Sequence, residues 1–297
     1  MVRPRNFALG SPTHADNAFQ EVPAPEEERS VALLAIEEFD GFVATLRAAG
    51  LRITVLDDAE GSHLPDSVFP NNWFSTHEDG LLITYPLLWP ERRRERREDI
   101  VEILDADYQI NRTLALEHWE DAGRVLEGTG SLILDRQRRI AYVTYSERAT
   151  HQAILDWCAA CDYQPITFHA YGREGTPVYH TNVMMAVGTD RAIVCLESVT
   201  DPAERSKLRE ALAMNGKHLV EISLEQMENF CGNALEVSTP TGPAWVMSSR
   251  AHAALRPEQL EALHAPVLHA PLTNIEIYGG GSARCMLAEI FLPVRST

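Results

Sequence analysis

One pattern constrains the fold of this 297-residue chain more than any other: a strand–turn–strand unit that recurs along it. Four segments rich in apolar and β-branched residues each contain a short central turn. The turns are predicted at 77–80, 136–139, 188–191 and 239–242. A helix and a further short strand follow each hairpin, which gives four strand–strand–helix–strand units. The predicted helices are roughly 96–104, 149–161, 202–214 and 251–264, and the strands after them lie near Tyr108, Ile166, Leu219 and Val267.

The two ends of the chain supply a fifth unit. The last predicted strand, MLAEIFLP, would pair with the N-terminal segment RNFALG, and a long helix over 26–49 and the strand RITVLD would follow. Five units of roughly 50–60 residues that close end to end predict a ring or propeller rather than a linear solenoid. Because no linker rich in proline, glycine or serine divides the chain, residues 1–297 are predicted to form a single α/β domain.

The charge balance argues against two classes of partner. The chain has 26 Lys and Arg against 43 Asp and Glu, a formal net charge of −17, which disfavours nucleic acid and anionic membranes. No membrane span or signal peptide is visible, and five cysteines are an odd, sparse set typical of reduced thiols. A cytoplasmic protein is therefore predicted. Its oligomeric state stays open, with a homodimer as one option.

Two of the cysteines, Cys158 and Cys161, form a C-x-x-C motif at the end of a predicted helix. Redox or metal chemistry is one interpretation of this motif. The three-residue spacing puts both thiols on one apolar helix face, and no second ligand pair accompanies them. We therefore predict that both belong to the core.

Unusual polar residues occur at the same phase of every unit, directly before the predicted hairpin. The segments are PNN (Asn71, Asn72), LEGTGS (with Glu127), YHTN (His180, Asn182), NFCGN (Asn229, Asn233) and GGGSARC (ending at Cys285). Equivalent strand starts of a pseudo-symmetric ring converge near its axis. We therefore expect one pocket formed by Asn71, Asn72, Glu127, His180, Asn182 and Cys285.

The chemistry that these side chains predict is nucleophilic catalysis by Cys285. A cysteine attacks as the thiolate, which a neighbouring protonated His180 would stabilise. The imidazole would then protonate a leaving group and activate water, while Glu127 would orient it. Each residue alone has a plainer interpretation, as a structural histidine, a turn carboxylate or a buried thiol. Their shared phase in the repeat favours the catalytic interpretation.

The motifs PDSVF followed by a polar pair, EGTGS, YHTN and the glycine-rich run ending in Cys285 resemble those of the guanidino-group-modifying superfamily. Its members include arginine deiminases, dimethylarginine dimethylaminohydrolases and amidinotransferases. The resemblance runs from Asp66 to Cys285 and implies the five-bladed α/β propeller called the pentein. It also implies a catalytic triad of Cys285, His180 and Glu127, a covalent thiouronium intermediate, and no metal or organic cofactor.

The resemblance extends to contacts with an amino-acid substrate. Asp66 matches a residue that holds the amino-acid end, and Arg148 matches an arginine that binds the carboxylate. A second such arginine is expected in ERRRER, at Arg92 or Arg93. The alternative interpretation of ERRRER is the solvent-exposed start of a helix. A carboxylate contact is favoured by the shape of the guanidinium, which can form two hydrogen bonds to a carboxylate.

One departure from the superfamily bears on the substrate. Relatives that act on a guanidinium carry acidic residues where this chain has Asn71 and Asn72, and commonly another where it has Asn182. A buried cation needs negative partners, whereas three neutral amides suit a neutral ureido group. The alternative is that these asparagines only stabilise turns.

The leading prediction is therefore a cysteine-dependent hydrolase that converts citrulline, or a close ureido amino acid, into ornithine, carbon dioxide and ammonia. FPNNW together with EGTGS also resembles a citrulline-using subgroup of the superfamily. A guanidino hydrolase acting on arginine or a methylated arginine is the first alternative. A non-catalytic protein that binds such amino acids is the second.

Overall fold

The computed structural model describes residues 1–5, 7, 17, 19–24, 26–58, 64 and 66–295. Its strands are β1 (Val2–Arg3), β2 (Leu56–Asp57), β3 (Phe74–Thr76), β4 (Leu81–Thr84), β5 (Arg112–Ala115), β6 (Ile133–Asp135), β7 (Ile140–Thr144), β8 (Gln164–Phe168), β9 (Met185–Val187), β10 (Arg191–Val194), β11 (His218–Glu221), β12 (Leu235–Thr239), β13 (Gly242–Ser248) and β14 (Val267–Ala270). Its helices are α1 (Glu28–Ala48), α2 (Glu98–Asp107), α3 (Gly128–Ser131), α4 (His151–Cys161), α5 (Thr181–Met184), α6 (Pro202–Met214), α7 (Leu224–Glu228), α8 (Ser249–Ala254), α9 (Pro257–Ala262) and α10 (Thr273–Gly279). None of these helices is long and apolar enough to cross a lipid bilayer.

Four three-stranded sheets repeat one plan. In each sheet the first two strands form an antiparallel hairpin, and the third strand pairs in parallel with the second. The sheets are β3-β4-β5, β6-β7-β8, β9-β10-β11 and β12-β13-β14. All four predicted hairpins are therefore present, and the mixed α/β class is confirmed.

The fifth unit differs from its prediction. In the described part of the chain it has two parallel strands of two residues each, β1 and β2. The segment MLAEIFLP forms no strand. Instead it runs beside β3, where Thr76 Oγ1 donates to Glu289 O at 2.9 Å and accepts from Phe291 N at 2.8 Å. Most of RNFALG lies outside the described residues, so the closed five-bladed ring stays a prediction.

Two further boundaries depart from the predictions for local reasons. The helix predicted over 251–264 is divided into α8 and α9, because Pro257 lacks an N–H group and disfavours helical geometry in the residue before it. The strand predicted near Tyr108 begins only at Arg112. Helix α2 continues to Asp107, and Tyr108 N still donates to Leu104 O at 2.8 Å.

A short helical turn precedes the first strand of three sheets. It is Pro70–Asn72 before β3, α3 before β6 and α5 before β9. The first turn contacts α3, and α3 contacts α5. Three of the polar segments found at one phase of the repeat, PNN, EGTGS and YHTN, are therefore in contact with one another through α3.

Helix α1 supports the segment that carries the predicted nucleophile. Phe39, Phe42 and Leu46 are fully buried on its inner face, and the helix packs against β14 and α10. Cys285 belongs to the same hydrophobic cluster. Cys158 and Cys161 lie elsewhere, buried in a cluster of their own, as predicted for core thiols.

Candidate active site

Glu127 and His180 form the central pair of the site, each placed directly before a short helix. Glu127 precedes α3 and His180 precedes α5. His180 Nε2 lies 2.8 Å from Glu127 Oε2, and Leu88 N donates to Glu127 Oε1 at 3.1 Å. Both side chains are almost completely buried. Because Nε2–H donates to the carboxylate, the lone pair of the neutral imidazole is on Nδ1.

Arg92 is the most heavily bonded residue near this pair. Its guanidinium lies 3.2 Å from Asp66 Oδ2, 3.0 Å from Glu95 Oε2 and 3.2 Å from Glu127 Oε2. It also donates to Asn72 Oδ1 at 3.0 Å. All three of its nitrogens are thus engaged with protein groups. This arrangement suits a residue that positions Glu127 and Asn72 rather than the substrate-carboxylate partner predicted from the sequence.

The neighbouring arginines have different surroundings. Arg93 lies outside the buried cluster, because its Nε pairs with Glu120 Oε2 at 3.0 Å and its side chain is 35% exposed. Of the two arginines proposed in ERRRER, Arg92 is therefore the one that contacts Glu127. Arg148 is buried with its Nη1 3.4 Å from Glu127 Oε2, and its guanidinium lies over the Tyr179 ring.

Burial and these charges determine the protonation of the central pair. Burial lowers the pKa of His180 to about 4, and although Glu127 opposes the shift, Arg148 and Arg92 reinforce it. Burial alone would raise the pKa of Glu127, but Arg148, Arg92 and His180 together hold that pKa well below its usual range. At neutral pH the pair is a neutral imidazole and a carboxylate. The lowered pKa of His180 thus favours the neutral imidazole, whereas the sequence prediction uses the protonated form.

This protonation state predicts the acid limb of the activity profile. A neutral His180 is needed to accept a proton, so kcat/KM should stay flat from pH 7 down to about 5 and fall as the pH drops through about 4. An unperturbed histidine would give a limb near 6.5. Measuring kcat/KM across this range, after checking that the protein stays folded, tests the assignment, and a limb at pH 6.5 would contradict it.

Cys285 is held by amide groups. Its Sγ lies 3.2 Å from Nδ2 of Asn182 and 3.2 Å from Nδ2 of Asn233. No hydrogen bond joins Sγ to His180 among the described residues, but Asn182 follows His180 by two positions in the same turn. Asn233 was not among the predicted site residues. The sequence signal for Asn233 is its position in NFCGN, at the phase of the repeat that the other polar segments share.

The glycine-rich run before Cys285 is required by close packing. Gly280 ends α10 with a left-handed φ of 64°, and its carbonyl accepts hydrogen bonds from Asn17 Nδ2 and the Tyr179 hydroxyl. A Cβ atom at Gly279 or Gly281 would stand 3.0 or 2.8 Å from the ring of Phe69. Glycine at these two positions lets the backbone lie close against the Phe69 ring in the segment that leads to Cys285.

Gly130 of EGTGS has an equally specific role. A Cβ atom at this position would stand 2.9 Å from His180 Nδ1 and 2.5 Å from Asn72 Nδ2. The missing side chain leaves the proton-accepting edge of His180 open.

We therefore expect Gly130→Ala to reduce kcat/KM by at least about 100-fold, because displacing a catalytic group by about 1 Å has an effect of this size. Gly41→Ala in α1 is the matched control, since an added Cβ there meets nothing within 4 Å. Comparing kcat/KM and thermal unfolding of the two variants checks the prediction. An active Gly130→Ala variant would show that this edge of His180 is not used.

Hydrogen-bond chemistry fixes the orientation of two asparagine side chains. Arg92 can only donate, so the oxygen of Asn72 faces it. Asn72 Nδ2 then donates to Asn71 Oδ1 at 3.0 Å. Asn71 Nδ2 is left buried without a hydrogen-bond partner, and among the described side chains the same is true of Asn182 Oδ1. These two buried amide atoms, one donor and one acceptor, are thus without a hydrogen-bond partner among the described side chains.

A comparison with protein families shows to which family this chain belongs. The family described as N,N dimethylarginine dimethylhydrolase, eukaryotic, matches residues 3–292. The chain belongs to this family. Its predicted membership of the guanidino-group-modifying superfamily is thereby confirmed, and so is its class, an enzyme that hydrolyses C–N bonds. No curated protein matches the chain.

Several solved structures share the fold of this chain, although their sequences are less than 20% identical to it. The substrate-bound N-terminal domain of ArgZ, an arginine dihydrolase of the ornithine–ammonia cycle in cyanobacteria, is 16% identical with a TM-score of 0.74, and the match covers 98% of both chains. AgrE with L-arginine is 18% identical with a TM-score of 0.74, covering 99% of this chain but 40% of AgrE. A dimethylarginine dimethylaminohydrolase adduct is 15% identical with a TM-score of 0.63, covering 86% of this chain and 90% of the other.

Proposed function

We propose that this enzyme hydrolyses the ureido group of citrulline or of a close ureido amino acid, with Cys285 as nucleophile. His180 is the general acid and base, and Glu127 orients it. The products are ornithine, carbon dioxide and ammonia. Arg148 is the proposed partner of the substrate carboxylate, and Asp66 is proposed to hold the amino-acid end of the substrate. Arg92 holds Glu127 and Asn72 in place.

The unpaired amide groups are the observation that carries this proposal. A ureido group has one carbonyl acceptor and several N–H donors. Its oxygen can accept from Asn71 Nδ2, and an N–H can donate to Asn182 Oδ1. Both are buried groups without a hydrogen-bond partner in the described part of the chain, and an unpaired buried polar group is costly. A guanidinium has only donors, so it would leave Asn71 Nδ2 unpaired.

Two carboxylates near the site, Glu127 and Glu95, support a neutral head group for a second reason. Glu127 accepts hydrogen bonds from His180, Arg92, Arg148 and Leu88 N. Glu95 bonds to Arg92 and to Asp66 N. These carboxylates already serve protein donors, and the groups that contact Sγ of Cys285 are neutral amides.

The reaction follows from these positions. The Cys285 thiol gives its proton to His180 Nδ1, and Sγ attacks the ureido carbon. The tetrahedral intermediate collapses with cleavage of one C–N bond, and the leaving nitrogen takes the proton from His180. Neutral His180 then removes a proton from water, which attacks the thiocarbamate and breaks the C–S bond. His180 returns this proton to Sγ of Cys285, which restores the thiol. The carbamic acid that results decomposes to carbon dioxide and an amine.

A guanidino hydrolase is the second candidate, because the family and the solved relatives are described by guanidino substrates. Ammonia release from citrulline, arginine and methylated arginines separates the candidates. We expect kcat/KM for citrulline to exceed that for arginine at least tenfold. A preference for arginine would replace the proposal by the second candidate. Binding of these amino acids without ammonia release would favour the non-catalytic alternative.

A further inference from the structure

Asn233 makes a set of contacts that the reaction described above does not use. Its side chain is fully buried. Its Oδ1 accepts from Arg284 N at 2.9 Å, and its Nδ2 donates to Asn182 O at 3.1 Å and to Cys285 Sγ at 3.2 Å. One amide therefore contacts the backbone before the nucleophile, the backbone of the neighbouring turn, and the sulfur itself.

These contacts fix which end of the amide faces the sulfur. A backbone N–H can only donate, so Arg284 N holds the oxygen of Asn233 and leaves its Nδ2 directed at Sγ. Asn182 is not fixed in this way, because its Oδ1 has no hydrogen-bond partner among the described residues. The Asn182 amide can turn its oxygen toward a thiol S–H. The Asn233 amide cannot turn without losing its bond to Arg284.

We propose that Asn233 is a dedicated thiolate-holding residue, an N–H donor locked toward Sγ that stabilises the ionised form of Cys285. A thiolate only accepts hydrogen bonds, so a fixed donor stabilises it over the thiol. This inference rests on the proposed role of Cys285 as nucleophile. It supplies what the neutral His180 cannot, because an uncharged imidazole offers no positive charge to a thiolate.

The other cysteines permit a clean measurement of this ionisation. Burial raises the pKa of Cys158 to about 12, of Cys161 to about 11, of Cys195 to about 11 and of Cys231 to about 12. Below about pH 9, where tyrosine is also protonated, these four thiols contribute little thiolate absorbance. Subtracting the titration of Cys285→Ser removes the remaining background.

The test compares this titration in the parent, Asn233→Ala and Asn233→Asp. Loss of a hydrogen bond to an ionised group should move the midpoint up by about one pH unit in Asn233→Ala. The shift should be larger in Asn233→Asp, which keeps an acceptor for Arg284 N but replaces the donor by a carboxyl oxygen. Asn233→Asp also preserves the side-chain volume, so it provides the test if the alanine variant does not fold. Asn229→Asp in the same segment is the matched control, because Asn229 bonds to Glu225 O and Arg250 Nε instead.

An unchanged midpoint in folded Asn233→Asp would overturn the inference, and so would an equal shift in Asn229→Asp. No substrate enters the titration. A parent that fails to hydrolyse citrulline, combined with the predicted shift, would therefore refute the proposed function and support the role of Asn233.

Discussion

Cys285→Ser should lower kcat by at least about 10⁴-fold, the size of effect seen when a nucleophile is removed. A serine hydroxyl is far less ionised than a thiol, and neutral His180 is a weak base for it. The fold should survive, because an oxygen at this position still accepts from the amides of Asn182 and Asn233. The assay is ammonia release under saturating substrate, with circular dichroism as the check on folding.

Cys158→Ser and Cys161→Ser are the matched controls for this change. Both thiols are buried in the core, where burial raises their pKa, and the proposed reaction uses neither. Their variants should keep most of the parent activity per folded molecule. Full activity in Cys285→Ser would rule out a covalent mechanism through Cys285.

Asn71→Asp should change the substrate preference by at least about tenfold toward arginine, or roughly 1.4 kcal/mol in relative transition-state affinity. The change is nearly isosteric and replaces the unpaired Nδ2 donor by an acceptor. Citrulline then loses the partner of its ureido oxygen, while a guanidinium gains a carboxylate. The measurement is the ratio of kcat/KM for citrulline to kcat/KM for arginine, in parent and variant.

Asn111→Asp controls for the added negative charge, since Asn111 is exposed and bonds to Asp79 O. Its ratio should equal that of the parent. If Asn71→Asp also keeps the parent ratio, Asn71 only stabilises its turn and the ureido proposal loses its main support. A change at Asn72 would be less informative, because the oxygen of Asn72 is already bound to Arg92.

The features that could be predicted from the sequence depend on local signals. The four hairpins are marked by turn residues between apolar runs, and α6 begins at Pro202 as predicted because Asp201 caps it through Ala203 N and Glu204 N. The convergence of the polar segments followed from their common phase in the repeat. The fifth unit joins the two ends of the chain, where no local pattern fixes which strands pair.

Other features depend on tertiary surroundings that the sequence does not display. The neutral state of His180 results from its burial and from two arginines distant in the chain. The choice between Arg92 and Arg93 depends on which side of a six-residue 3-10 helix, Pro90–Glu95, faces inward. Asn233 was visible at the right phase, but only the packing of two turns shows that its amide reaches the sulfur.

The cluster around Arg92 also limits how this site can be redesigned. Asp66, Glu95 and Glu127 share one guanidinium, and burial raises the pKa of Glu95 to about 7 despite that partner. Exchanging Arg92 for a neutral residue would remove this shared counter-charge and leave Glu127 with Arg148 as its cationic neighbour. Lysine in its place would lose the planar fork. These four side chains therefore form one electrostatic unit. Laboratory evolution toward new substrates should find its gains at Asn71 and Asn182, and should have to replace the Arg92 cluster as a whole or leave it intact.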